Sequence, residues 1–308
     1  MALATIKKTI LHIETMRKIV QFCCFLLFNA VFFDLGPWPV LLPVLQSLGT
    51  PQTAVGDAFA ALQFMIYKLV FPWLPIAAFL VIAALTGRTL CGWVCPFGFI
   101  QDLLGYVKRK HTEVSPRTHR TMIYAKHMVL GITLFIGVTL AASLAAGTGE
   151  SYKKAFGVFG EAPFNALSPA DTLFAILPEM VLGLRYMMLE KTAWEIIVSV
   201  ASLSALFWVR FAILVGVVAL AVYVPRGWCR YLCPHGAILA LLNRFSLLGL
   251  KRDLVKCTRA ECRECVKACP MKVPILELPW EKFSDPECIY CLKCVDVCPT
   301  GAIKPKFP

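Results

Sequence analysis

The residues best suited to chemistry in this 308-residue chain are its fourteen cysteines. Their spacing sorts them into three groups. Toward the C-terminus, Cys257-x4-Cys262-x2-Cys265-x3-Cys269-Pro270 is followed by Cys288-x2-Cys291-x2-Cys294-x3-Cys298-Pro299. Further upstream, Arg88-Thr-Leu-Cys91-Gly-Trp-Val-Cys95-Pro96-Phe-Gly98-Phe-Ile100 is answered by Arg226-Gly-Trp-Cys229-Arg-Tyr-Leu-Cys233-Pro234-His-Gly236-Ala-Ile238. The last group is the adjacent pair Cys23 and Cys24. So many thiols in a small secreted domain would imply disulfides, but this chain is neither small nor headed by a cleavable signal peptide.

The C-terminal spacing is that of thiolates around iron–sulfur cubanes. In two-cluster bacterial proteins of the Cys-x2-Cys-x2-Cys-x3-Cys-Pro type, the fourth cysteine ligates the other cluster. On that pattern one [4Fe-4S] cluster takes Cys257, Cys262, Cys265 and Cys298, and a second takes Cys288, Cys291, Cys294 and Cys269. Zinc also accepts four thiolates, but two tandem runs each closed by Cys-Pro favour clusters. The x4 gap in the first run enlarges one loop of its cluster.

The paired Cys-x3-Cys-Pro motifs keep Arg, both Cys, Pro, Gly and Ile at one fixed offset, which reads as an internal duplication. At i and i+4 on a helical turn, both sulfurs of a pair share a face. Two pairs across a pseudo-two-fold axis then offer four thiolates, Cys91, Cys95, Cys229 and Cys233, enough for a third cluster or metal. A thiol–disulfide relay and plain burial as small hydrophobes are the alternatives. Trp93 and Trp228 flank these cysteines, either to shield them from water or to pack. Cys23 and Cys24 point different ways from one helix and read as core packing.

The elements that must hold these groups are set by composition. The chain is 58% hydrophobic and 16% charged, with mean hydropathy +0.69, outside the soluble norm. Apolar runs predict four spans, at Ile19–Leu35, Tyr67–Thr86, Met128–Ala146 and Trp194–Val224, the first three near the ~20 residues a bilayer requires and the fourth a longer run. Pro37–Val44, broken by prolines, reads as an interfacial or re-entrant piece, and Pro169–Met188 as a surface-lying helix. The net charge of +12 reflects cytoplasmic Lys and Arg rather than nucleic-acid binding, since Arg88, Lys108, Arg109, Lys110, Arg117, Arg120 and Lys126 crowd the loop between the second and third spans. Both termini are therefore expected in the cytoplasm. The expected fold is a membrane α-helical domain of duplicated helix pairs over residues 1–250, then a cytoplasmic α+β two-cluster ferredoxin domain over 251–308.

A membrane domain with two Cys-x3-Cys-Pro motifs followed by a two-cluster ferredoxin domain resembles the polyferredoxin membrane subunits of quinol dehydrogenases, of the NapH and NosR types. The resemblance covers the second span to the C-terminus and rests on the twelve motif cysteines. It implies a multi-pass protein of the bacterial cytoplasmic membrane that passes electrons between the quinone pool, its clusters and partner redox subunits of ferredoxin or cytochrome type. The flavin-bearing domain of the NosR type is absent. Rival readings are a metal-reducing assembly factor and a redox-sensing regulator.

Other cofactors find no motif. There is no Cys-x-x-Cys-His for c-type haem. Of His12, His111, His119, His127 and His235, only His127 lies near a predicted span, and it reads as interfacial, so haem is not expected. No glycine-rich dinucleotide fingerprint or phosphate loop is present. A quinone site is weakly marked. Arg210 interrupts the fourth span, and an ionisable residue there is a functional candidate, though its side chain could also snorkel to the interface. Glu161, Glu195 and Lys68 are lesser candidates, and Trp38, Trp73 and Trp194 read as interfacial belt residues.

Overall fold

A computed structural model describes residues 13–28, 40–46, 55–108, 111–157, 159, 163–181, 204–258 and 262–307. Helix α1 (Ile13–Phe28) runs through the N-terminal apolar stretch; residues 29–39, the rest of the predicted first span, lie outside the described residues. Strand β1 (Leu41–Leu42) pairs in parallel with β2 (Gly56–Asp57), and Val44 and Leu45 beside it are buried. The proline-broken segment is thus folded into the protein from Leu41 onward, because its backbone finds partners there and its side chains find a core.

The span expected at Tyr67–Thr86 is not one helix. Helix α2 (Ala58–Tyr67) ends there, Leu69 takes a left-handed φ of 57°, and α3 (Trp73–Thr86) begins after Pro72. Pro72 has no N–H to continue a helix, and left-handed backbone costs a residue with a Cβ. Helix α3 is followed by α4 (Thr89–Trp93) and α5 (Pro96–Leu104).

Helix α6 (Pro116–Ala145) starts on Ser115, whose hydroxyl accepts from the Thr118 amide, with proline in the first turn. Its 30 residues reach roughly 45 Å at about 1.5 Å each, so its basic first turns extend past a ~30 Å apolar layer. Helix α7 (Gly149–Phe156) follows. Among the described residues, α6 and α8 (Ala205–Tyr223) are long and apolar enough to cross a membrane. Only 17% of each apolar window is buried within the protein, leaving greasy surface facing outward.

Pro169–Met188 was expected to lie on the surface. Its described part instead turns inward. A helical turn at Pro169–Asp171 passes into a π-helical turn at Thr172–Ile176, and Ala170, Thr172 and Phe174 are buried. Phe174 packs against Phe25 and Phe97, and burial of that aromatic cluster outweighs the polarity that Asp171 and Glu179 lend the segment.

After α8 come α9 (Gly227–Tyr231) and α10 (Pro234–Asn243), which repeat the short-helix, proline-started-helix order of α4 and α5. The cysteine-rich region is closed by antiparallel β3 (Gly249–Arg252) and β4 (Ile303–Lys306), with α11 (Glu264–Ala268) and α12 (Lys293–Asp296) between them.

This C-terminal unit is fastened to the ends of the membrane helices by buried polar contacts. Trp93 donates its indole N–H to the Tyr290 carbonyl at 2.8 Å. Arg88 donates to the Pro286 carbonyl at 2.8 Å and to Glu287 at 3.0 Å, and Lys126 of α6 pairs with the same carboxylate. At Gly92 a Cβ would stand 2.3 Å from the Ile289 carbonyl oxygen, so only glycine lets the two backbones meet.

Candidate metal centres

The motif cysteines gather around voids. Cys91, Cys95, Cys229 and Cys233, together with Arg88 and His235, line a single pocket of about 310 Å³ of empty space, part of it open to solvent. All four are buried. The i, i+4 helical turn expected of each pair does not form. Cys91 lies within α4 and Cys229 within α9, whereas Cys95 and Cys233 are extended residues capping the next helix. Proline disfavours the helical region for the residue before it and is well placed at a helix's first position. Each Cys-Pro therefore breaks the helix, and the break swings the second sulfur toward the cavity.

The two motifs interlock. Arg226 donates to the Cys91 carbonyl at 2.7 Å. A Cβ at Gly98 would meet Arg226 Nη1 at 3.7 Å, and one at Gly236 would meet Arg88 Nη2 at 3.0 Å. Each motif's arginine thus passes over the other motif's glycine. Asp102 accepts from Arg226 at 2.7 Å and from Arg17 of α1 at 2.8 Å, with Lys18 at 3.1 Å. Burial pushes the Asp102 carboxyl up, and Arg226, Arg17 and Lys18 outweigh it to hold it well below the usual carboxylate range. Gln101 donates to Cys229 Sγ at 3.0 Å and accepts from the Trp228 amide. Trp228 itself packs against Phe97 and Phe164.

A second cavity, of about 380 Å³, is lined by Cys269, Cys288, Cys291 and Cys294. The remaining four motif thiols, Cys257, Cys262, Cys265 and Cys298, are electrostatic neighbours. Burial pushes the Cys265 thiol up, and neighbouring Cys257, Cys262 and Cys298 add to the effect. Among the described residues no three His, Cys, Asp or Glu side chains take a single-ion geometry.

The membrane cavity fits a metal–sulfur group. Burial pushes the Cys95 thiol up to about 12, with Cys229 and Cys91 adding to it; a coordinating metal ion removes such a proton outright. Arg88 Nη2 and His235 Nδ1, both on residues lining this cavity, have no hydrogen-bond partner although fully buried. Buried polar atoms are rarely left orphaned, and an anionic thiolate-bound group would engage them.

A third, larger cleft of about 1320 Å³, part of it open to solvent, separates the ends of the membrane helices from the cysteine-rich unit. Lys18, Lys108, Arg230, Lys272 and Lys293 make it basic, and Cys269 and Pro270 form part of its wall.

Other expected residues stand apart from these sites. Arg210 lines neither cysteine cavity and donates to the Ala166 carbonyl at 2.6 Å. Its charge is taken up by a loop carbonyl rather than by snorkelling alone. Lys68 lies over the Phe64 ring, and Trp73 is exposed. His127 contacts the Ile123 carbonyl of its own helix. Cys23 is exposed, so it is not core, and Cys24 is half-buried. Glu161, Glu195, His12, Trp38 and Trp194 lie outside the described residues. Sequence reasoning weighed His235 only as a haem ligand and overlooked Asp57, Asp102 and Glu287. Arg88 and Arg226 were visible as a repeated offset, but their crossing contacts were not.

The 4Fe-4S binding domain family matches residues 70–112 and again 206–253, and the 4Fe-4S dicluster domain family matches 256–303. An uncharacterized protein of Methanocaldococcus jannaschii is 30% identical over 73% of this chain and 66% of its own length. Ferredoxin-type protein NapH of Haemophilus influenzae is 25% identical over 72% of this chain and 63% of its own. Methylamine utilization ferredoxin-type protein MauN of Methylobacillus flagellatus is 26% identical over 82% and 75%. The chain thus spans about two thirds of the first two relatives. No solved structure matches. With iron–sulfur families covering both cysteine regions and apolar helices between them, the chain is a membrane protein with a ferredoxin domain and belongs to the NapH/NosR-type polyferredoxin proteins.

Proposed function

We propose that the protein is an electron-transfer subunit of a membrane redox complex, linking the quinone pool to partner redox proteins through three iron–sulfur centres. Two are the ferredoxin clusters, on Cys257, Cys262, Cys265 and Cys298 and on Cys288, Cys291, Cys294 and Cys269. The third sits on Cys91, Cys95, Cys229 and Cys233. When bound, such clusters supply one-electron carriers whose potentials follow burial and hydrogen bonding.

One observation carries this reading: the backbone contact at Gly92. Gly92 follows Cys91, and a Cβ there would come 2.3 Å from the Ile289 carbonyl oxygen and 3.7 Å from the Cys291 amide. The main chain beside Cys91 and the main chain of the second ferredoxin site are therefore in direct contact at this point. Trp93 and Arg88 fix the spacing on either side. The names of NapH and MauN, both ferredoxin-type proteins, agree. The basic cleft beside Cys269 gives an acidic redox partner a place to approach.

The proposed topology has four crossings, by α1, α3, α6 and α8, with both termini cytoplasmic. The N-terminal part of α1 supports it, since Arg17 reaches Asp102 and Glu14 reaches Lys293. The first turns of α6 support it too, through Lys126 and Glu287. These helix ends meet on the side that carries the cysteine motifs.

Anaerobic iron and sulfide analysis of the intact protein is the test. Three cubanes give about twelve irons per chain at four each, and Cys91→Ser is expected to lower the count by about four. A count near eight would remove the membrane centre. Addition of a quinol to membranes carrying the protein and its partner subunits should reduce the clusters; failure to do so would overturn the electron-transfer role.

A further inference from the structure

The cleft between the helix ends and the cysteine-rich unit holds more positive charge than its own acids balance. Seven Lys and Arg side chains line it against two acids, Asp102 and Glu113. Asp102 is already shared by Arg17, Lys18 and Arg226. Lys293 pairs with Glu14, and Lys267 with Glu264. That leaves Lys108, Arg230 and Lys272 on the walls with no carboxylate partner among the described residues.

Arg230 is the costly one of the three. It is only 1% exposed, reaches His119 Nδ1 at 3.1 Å and lies over the Tyr231 ring. Its Nε is buried and has no hydrogen-bond partner among the described residues. A buried charge is ordinarily paired, so this guanidinium lacks its counter-ion. His111 lines the same cleft, and its buried Nδ1 is likewise without a partner among the described residues.

The wall that carries Lys108 and His111 is tied to a membrane helix. The Thr112 amide donates to the Tyr223 carbonyl at 3.0 Å, at the end of α8, and the Lys108 ammonium stands 4.0 Å over the Tyr223 ring. Tyr223 is half-exposed, as a tyrosine at a membrane interface is. Tyr106 also lines the cleft, and it is exposed together with Leu103 and Val107 close by in the chain. Unbalanced cations therefore adjoin apolar surface that faces outward. Lys267 and Lys272, from the cysteine-rich unit, are exposed instead.

We infer that the membrane-side wall of this cleft binds the phosphate headgroup of an anionic phospholipid, held by Lys108, His111 and Arg230, with the acyl chains along the exposed apolar side chains of α5 and α8. Basic pockets between membrane helices on the cytoplasmic side suit such headgroups. A headgroup phosphate supplies the missing counter-charge at the level where the apolar helices end. A soluble anion would supply the charge but nothing to cover Leu103 and Val107. Lys272 stays open to an acidic partner. The inference rests on the proposed placement of these helix ends at the cytoplasmic surface, and not on the number of clusters.

The test uses the full-length protein purified in detergent and washed extensively, with phosphorus and iron counted on the same sample. About one anionic phospholipid per chain is expected to remain, identified by mass spectrometry of the extracted lipid. Protein stripped of lipid should regain thermal stability with phosphatidylglycerol in mixed micelles, but not with phosphatidylcholine or inorganic phosphate. Lys108→Gln, which touches no cysteine site, should weaken phosphatidylglycerol binding about fivefold, the share of one Lys near an anionic surface, at unchanged iron content. His111→Gln should weaken it too, and serves if Lys108→Gln does not fold. Loss of all phospholipid on washing with no response to phosphatidylglycerol would overturn the site. An equal response to phosphatidylcholine would reduce it to ordinary lipid solvation, and the same response to inorganic phosphate would make it a soluble-anion site; either result sinks the proposal. An iron count near eight would remove the third centre and leave this binding untouched.

Discussion

Glu287 neutralises two cations at once. Arg88 and Lys126 are fully buried and both pair with it. Removing one partner of a buried ion pair leaves uncompensated charge, at a cost of about 3–5 kcal/mol. Glu287→Gln is expected to lower the thermal unfolding midpoint and loosen the C-terminal unit from the membrane helices, read as faster proteolysis near Pro286. The pH dependence follows from the same pairing. Burial pushes the Glu287 carboxyl up, but Arg88 and Lys126 outweigh it and hold it below its ordinary value. Its stabilisation is complete above the unfolded carboxyl's value and is lost as pH falls through the lower folded one. The wild type should therefore lose stability on acidification below about pH 4.5 more steeply than Glu287→Gln, in parallel melts across that range.

Between elements, Asp102 and Gly92 are the joints. Asp102 on α5 ties α1, through Arg17 and Lys18, to Arg226 just before α9. Asp102→Asn keeps the size but removes the charge that balances two buried guanidinium groups. It is expected to destabilise more than a surface change of the same kind, by about 3–5 kcal/mol, measured by thermal melts in detergent. Gly92 is a joint of shape rather than charge. Gly92→Val would force the Ile289 carbonyl away from α4, and such overpacking costs roughly 1–3 kcal/mol. Because both cysteine sites keep their ligands, the iron content should be unchanged while electron exchange between the membrane centre and the second ferredoxin cluster slows. Freeze-quench spectroscopy after a reductant pulse would show it; unchanged rates would argue that the contact carries no electrons.

On the scale of the whole molecule, the proposed topology places α7 and the cysteine-rich unit on opposite sides of the membrane. A phosphatase reporter that is active only outside the cytoplasm should work when inserted after Ser151 and fail when fused after Phe307. Activity at both positions would refute the four-crossing arrangement. The basic cleft beside Cys269 leads to a second expectation at this scale. Association with an acidic redox partner should weaken as ionic strength rises, since salt screens exposed charge beyond about 10 Å at 0.1 M. Lys272→Glu should slow that association without changing the iron count.

Much of this protein was legible in the sequence because its chemistry is local. Cysteine spacing within a few residues marks a cubane loop, and mean hydropathy +0.69 marks a bilayer, whatever the rest of the chain does. The repeated Cys-x3-Cys-Pro was visible for the same reason. What joins distant segments was not. The pairs Asp57 with His235, Arg88 with Glu287, and Arg17 with Asp102 are separated by 178, 199 and 85 positions. No local pattern announces a charge whose partner lies on another helix. The helix breaks at Cys95 and Cys233 could be read from the prolines that follow them, yet the direction in which each break aims its sulfur depends on what packs against it. Sequence determined which atoms can bind metal. Tertiary structure decided that four of them face one cavity, because only packing brings the two motifs face to face.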